Sequence, residues 1–154
     1  MQLTRHVDAN APLCDLIRRL ATRPGFVPTH LPQVQVLSWD HYVASSPQIY
    51  EPSLMILAQG SKLARLGPRT LEYGAGHYLV QALSVPFMCE TFATAEAPLL
   101  GVAVDIDRSV LSELVQSMQL APDARVQAQT PQSMTSAALD AAMRDSVERL
   151  LQCL

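Results

Sequence analysis

Apolar residues recur at helical spacing near the start of the chain, at Leu13, Leu16, Ile17 and Leu20. Asn10 stands before them as a capping residue and Pro12 falls in the first turn, so the pattern predicts an amphipathic helix over 11–22. Arg23-Pro24-Gly25 ends it, and Pro28 and Pro32 keep the next stretch extended. From residue 33 onward the period shortens. Runs of β-branched, aromatic and aliphatic residues are cut at close intervals by Gly and Pro, which is the grammar of short antiparallel strands. Strands are expected over 33–43, 54–59, 63–66, 70–73, 78–81, 87–93 and 99–105, with Gly67-Pro68-Arg69 and Tyr73-Gly74-Ala75-Gly76 as tight turns.

So many short strands in series point to a sandwich or barrel rather than an open sheet. Two of them, Leu54-Met55-Ile56-Leu57 and Leu99-Leu100-Gly101-Val102-Ala103-Val104, are apolar on both faces. They need cover on the outer side as well, and the helices are the available cover. After Asp107 the helical period returns with Leu111, Leu114, Val115 and Met118. A Pro- and Gln-rich linker over 122–132 then precedes a second stripe of Leu139, Met143, Val147, Leu150 and Leu151. This stripe suits either a cover for the barrel or a seam for self-association, and Leu139, Met143, Val147 and Leu150 are the dimerisation candidates. The expected division is an N-terminal helix and arm over 1–32, a barrel over 33–107 and a helical segment over 108–154. The fold class is mainly β with flanking helices (α+β). A last helix reaching Leu154 without a capping glycine or polar tail reads as one cut from a longer chain.

Composition narrows the class. With 154 residues, 49% hydrophobic and 16% charged, the chain has the size and apolar content of one folded domain, without disulfides or metal. No apolar run approaches the roughly 20 residues that span a bilayer, and no secretory signal is present, so a cytoplasmic location and no membrane partner are expected. The three cysteines, Cys14, Cys89 and Cys153, are too irregularly spaced for a disulfide framework or zinc site and read as reduced thiols. A formal net charge of −3 with scattered Lys and Arg gives no stripe that would follow a phosphate backbone, so this polypeptide alone is not expected to bind nucleic acid.

Catalytic and metal constellations are thin. The histidines His6, His30, His41 and His77 are dispersed, with no pair at ligand spacing, so neither a metal site nor a cofactor is expected. No nucleophile elbow, phosphate loop or dinucleotide fingerprint occurs. The candidate chemistry lies instead in polar and aromatic groups on strands that face a barrel interior. Trp39 and His41 alternate on the first strand and would share a face, as a ligand wall or as packing against the first helix. Gln59 shares alternation with Met55 and Leu57, so its amide either enters a cavity or bonds a neighbouring loop. Tyr78 and Cys89 face the same choice of inside or outside. Cys89 beside Glu90 reads as a core thiol, with redox sensing as the alternative.

Three segments carry a resemblance. They are Tyr50-Glu51-Pro52-Ser53-Leu54-Met55-Ile56-Leu57-Ala58-Gln59-Gly60 followed by Lys62; Leu71-Glu72-Tyr73-Gly74-Ala75-Gly76-His77-Tyr78-Leu79-Val80; and Glu96-Ala97-Pro98-Leu99-Leu100-Gly101 running to Asp105-Ile106-Asp107. In order and spacing across about 24–120, the chain resembles the N-terminal domain of AraC-type bacterial transcription regulators. Ser61 departs from the arginine common there, and Pro68 from the usual turn residue. The resemblance implies a cupin-like double-stranded β-helix that binds a small-molecule effector, followed by helices for homodimerisation. DNA binding would belong to a helix-turn-helix domain beyond this sequence. A metal-dependent cupin enzyme and a ligand-free dimerisation module are the alternatives.

Overall fold

The computed structural model describes residues 8–117 and 132–154. The first helix, α1, covers Ala11–Leu20 and buries Leu13, Cys14 and Ile17. Asn10 occupies its cap position without making a side-chain cap bond. Its Oδ1 instead accepts a 3.0 Å hydrogen bond from Nε of Arg144, far along the chain. The expected cap residue thus serves as a tertiary tie.

Among the described residues, ten strands form two sheets: β1 (Gly25–Pro28), β2 (Val34–Trp39), β3 (Val43–Gln48), β4 (Ser53–Gln59), β5 (Ser61–Leu66), β6 (Arg69–Gly74), β7 (His77–Gln81), β8 (Phe87–Phe92), β9 (Leu99–Asp105) and β10 (Met134–Ala138). One sheet runs β1-β2-β9-β4-β7-β10 and the other β3-β8-β5-β6. All described pairings are antiparallel. From β2 to β9 the chain passes back and forth between the sheets, which is the double-stranded β-helix of a cupin-like barrel.

The stretch expected as one strand over 33–43 ends at Trp39, and after the bend at Asp40-His41 the chain enters the other sheet as β3 from Val43. A barrel corner requires a strand to change sheets, and the exposed Asp40-His41 pair supplies the polar bend. The hairpin at Gly67 forms as expected, with its φ at 56°, and Gly76 at φ 77° ends the turn into β7. Gly60 makes the corner between the sheets. At φ 81° it packs so closely on β9 that an added Cβ would lie 2.8 Å from the Leu99 Cα.

The six-stranded sheet is apolar on both faces, and each face has its own core. Outward, Val36, Ile56, Ala58, Leu100 and Val102 pack against Leu13 and Ile17 of α1 and against Val147 and Leu151 of α3 (Ala141–Gln152). Inward, Leu37, Met55, Leu57, Leu79 and Leu99 meet Ala64, Tyr73, Phe87 and Cys89 of the four-stranded sheet. The helices are therefore the cover that two-faced apolar strands demand.

Asp140 caps α3 by accepting a 2.8 Å bond from the Met143 amide. Immediately before it, β10 adds to the edge of β7, a strand the sequence pattern did not announce. Between β9 and β10, α2 (Arg108–Ser117) begins at Asp107, whose carboxylate accepts the Ser109 amide at 2.7 Å. Val110, Leu111 and Leu114 of α2 are about half exposed. The expected continuation of that stripe to Met118, and the linker as far as Pro131, lie outside the described residues. No helix among the described residues is long and apolar enough to cross a membrane.

Candidate functional site

The inner face of the barrel is not filled everywhere. At one end, a chamber of about 370 Å³ opens between β2, β4 and β9 and the segment after β3. Met55 and Phe26 form its apolar wall, with Gln35, Gln48 and Ser53 as neutral polar groups, and Glu51 and Asp105 also line it. A smaller cavity of about 50 Å³ adjoins it and shares Phe26, Gln48 and Tyr50 with it. Trp39, Lys62, Cys89 and Thr91 line this second space.

Aromatic rings give the pair of cavities its shape. Phe26 meets Trp39 edge-on at 5.4 Å between centroids and meets Tyr50 at 6.1 Å, while Tyr50 meets Phe87 at 5.0 Å. Such edge-to-face contacts are a preferred aromatic geometry and hold the rings in place. Lys62 reaches into the same interior from β5. It is 2% exposed, its Nζ stands 4.8 Å from the centroid of the Trp39 ring, and it donates a long 3.5 Å hydrogen bond to the Tyr50 hydroxyl.

Burial governs the ionisation of this cluster. Loss of water pushes the Lys62 ammonium below its ordinary pKa, with the neighbouring Cys89 opposing that shift. Burial also raises the Cys89 thiol, against the pull of Lys62 and a hydrogen bond from Tyr50. It drives the Tyr50 and Tyr73 phenols upward as well. The resting cluster thus favours a protonated thiol and neutral phenols, which are poor nucleophiles.

The sequence candidates scatter. Trp39, Met55 and Cys89 line the cavities, and Leu57 is buried in the inner core beside them. His41 does not share a strand face with Trp39, because β2 has ended; its ring is exposed and bonds the Asp40 carboxylate at 2.7 Å. Gln59 leaves the Met55–Leu57 alternation at a register shift in the β4–β9 pairing. Its amide donates to the Pro98 carbonyl at 2.7 Å and accepts from Arg18 of α1, so it ties a loop to a helix. Tyr78 packs outward with the helix-covered core.

The C-terminal stripe, which suited either a barrel cover or a self-association seam, packs on the barrel: Leu139 and Val147 are buried in the outer core, with Met143 packed against it. Leu150 is half-buried. Among the described residues, no group of three His, Cys, Asp or Glu side chains is placed to hold a metal ion. The most deeply placed polar residue of the site, Lys62, escaped the candidate set. Its signal was alternation: Lys62 and Ala64 point inward once β5 begins at Ser61 rather than at Leu63.

Fold and site together define a cupin-like barrel with an aromatic-walled chamber open to solvent at one end and helices sealing one outer face. Residues 30–154 match the family described as the AraC-type transcriptional regulator N-terminus, and the chain belongs to that family. No curated protein matches the chain. Among solved structures it resembles ToxT from Vibrio cholerae. An apo ToxT structure aligns at TM-score 0.57 and 10% identity, covering 86% of this chain and 49% of that one. A ToxT structure with bound unsaturated fatty acid aligns at TM-score 0.59 and 7% identity, covering 84% and 47%. A third, bound to a naphthalenyl butenoic acid, aligns at TM-score 0.54 and 10% identity over 79% and 47%. This chain spans about half the length of the ToxT chains it matches.

Proposed function

We propose that this domain is the sensor of a bacterial transcription regulator, taking a small, largely apolar effector into the barrel. The observation that carries this reading is the unfilled 370 Å³ chamber, in a barrel small enough that side chains could have packed it solid. Membership of the AraC-type family and the bound acids of the ToxT structures support it. The assignment is non-enzymatic and cytoplasmic, with the barrel over 33–107 and the Phe26 strand β1 as the sensing unit and 108–154 relaying its state. DNA binding is assigned to a separate domain of the complete regulator.

The relay follows from the sheet common to both cores. Met55 faces the chamber while Ile56, its neighbour on β4, faces α1 and α3. A ligand that shifts β4 changes the seat of both helices, provided it binds one arrangement better than the other. Self-association falls to α2, whose Val110, Leu111 and Leu114 are exposed, and not to the consumed stripe of α3.

Thermal-shift screening of the chain against apolar small molecules tests the sensor reading. A ligand at a hundredfold excess over its Kd should add about 2.7 kcal/mol. Stabilisation that survives Met55→Trp, which fills the chamber, would place binding elsewhere and defeat the reading. Sedimentation of Leu111→Glu and Leu114→Glu variants tests the seam: a homodimer that persists in both excludes α2.

A further inference from the structure

Lys62 is a buried cation that no carboxylate pairs with among the described residues. Among the described residues, ion pairs form at Arg18–Asp15, His41–Asp40 and Arg65–Glu90, and none reaches Lys62. Its described company is a phenol at 3.5 Å, an indole face and the Cys89 thiol, which burial keeps protonated. An ammonium removed from water and left with neutral partners is unfavourable, and a nearby anion relieves it. A second polar group of the same interior is also unsatisfied: the Tyr73 hydroxyl, on a residue 1% exposed, has no hydrogen-bond partner among the described residues.

We propose that the effector is an amphipathic organic acid whose carboxylate seats on Lys62 and the Tyr50 hydroxyl, with its apolar body in the aromatic-walled chamber. The assignment rests on the sensor reading above and adds the chemical class of the ligand and the residue that reads it. The cavity is already polarised for such a molecule. Lys62 lines the inner space, whereas Glu51 and Asp105 line the larger chamber. Like-charge repulsion disfavours an acid group beside those carboxylates, and attraction holds it at the lysine, so the head points inward.

Phe26 and Tyr50, common to both spaces, then flank the first part of the apolar body. Lys62 also contacts Trp39, the single tryptophan of the chain, so occupation of the site has its own optical reporter. A bound carboxylate would displace the ammonium from its place over the indole or share it, and either changes the emission of Trp39.

The test uses calorimetry and Trp39 fluorescence on the chain and on Lys62→Met, with octanoate and its neutral counterpart 1-octanol as probes. The expected result is that the parent binds octanoate at least about tenfold more tightly than octanol, the difference a charge-assisted contact provides. Lys62→Met should lose that preference while still binding octanol, which also shows that its barrel is folded. Equal binding of acid and alcohol by the parent, or an unchanged acid preference in Lys62→Met, overturns the head-group assignment and leaves the sensor reading standing. Failure of the parent to bind either probe overturns this proposal and counts against the sensor reading with it.

Discussion

The two faces of the six-stranded sheet are made from the same strands and solve different problems. On the outer face, Leu13, Ile17, Val147 and Leu151 close over β4 and β9 with apolar contacts. On the inner face, aromatic rings leave a chamber, and a lysine is buried among them. Dense apolar packing gives stability and little else. A cavity and a lone buried charge cost stability, and such concessions are characteristic of functional sites. The contrast separates what holds the domain together from what it recognises, although only one strand thickness lies between them.

That contrast can be broken by substitution, and the largest effect belongs to the outer face. Ile17→Ala removes a fully buried side chain from the helix–sheet core and should lower unfolding free energy by about 2–5 kcal/mol in urea titration. A loss below about 1 kcal/mol would mean that α1 is not an integral cover. Gly60→Ala strikes where the chain turns from one sheet to the other. Its positive φ and the 2.8 Å approach to Leu99 should together cost about 2–3 kcal/mol, read as a fall in Tm.

Lys62→Met reverses the sign. On the inner face it replaces a desolvated cation with an apolar chain of similar length, and should stabilise the ligand-free protein by about 1–2 kcal/mol at neutral pH. The gain depends on pH in one direction. Burial lowers the Lys62 pKa, so below the usual lysine value the unfolded chain binds the proton more readily than the folded one does. That proton favours unfolding at neutral pH and ceases to as pH rises toward the usual lysine range, so the advantage of the variant should shrink with rising pH. A gap that widened with pH would contradict a buried ammonium. The smallest effect is expected at His41→Ala, in an exposed bend, which should stay within about 0.5 kcal/mol of the parent and leave ligand binding unaltered.

The outer face was legible in the sequence. The Leu13-Leu16-Ile17-Leu20 spacing and the two-faced runs on β4 and β9 demanded one another before any strand was paired. Glycine turns at Gly67 and Gly76 announced one hairpin and one crossing between sheets, because φ above zero is a local requirement. The inner face was less legible, since which residues point inward depends on register and on where strands break. Trp39 and His41 alternate as a strand would, and only the change of sheet at Asp40 separates them. Gln59 was displaced from its apparent face by the register shift after Leu57. Lysine is ordinarily a surface residue, so composition alone gave no reason to place Lys62 in a core. β10 was missed because Met134-Thr135-Ser136-Ala137-Ala138 has neither strong strand formers nor clear alternation, and it owes its form to the free edge of β7.

The bond between Asn10 and Arg144 joins positions 134 residues apart, and the Leu139 amide donates to the Gly76 carbonyl at 2.8 Å on the same side of the barrel. Contacts between segments so distant in sequence form only after the intervening chain has been organised, because loop closure must precede any gain from them. The α1–α3 clasp is therefore expected to form late in folding and to open early. Amides of the two helices should exchange with solvent sooner than those of β4 and β9 beneath them. If they do, the layer that closes the outer core is also the first to loosen, and a barrel that keeps its sheets while its helices come and go can change what it presents without unfolding.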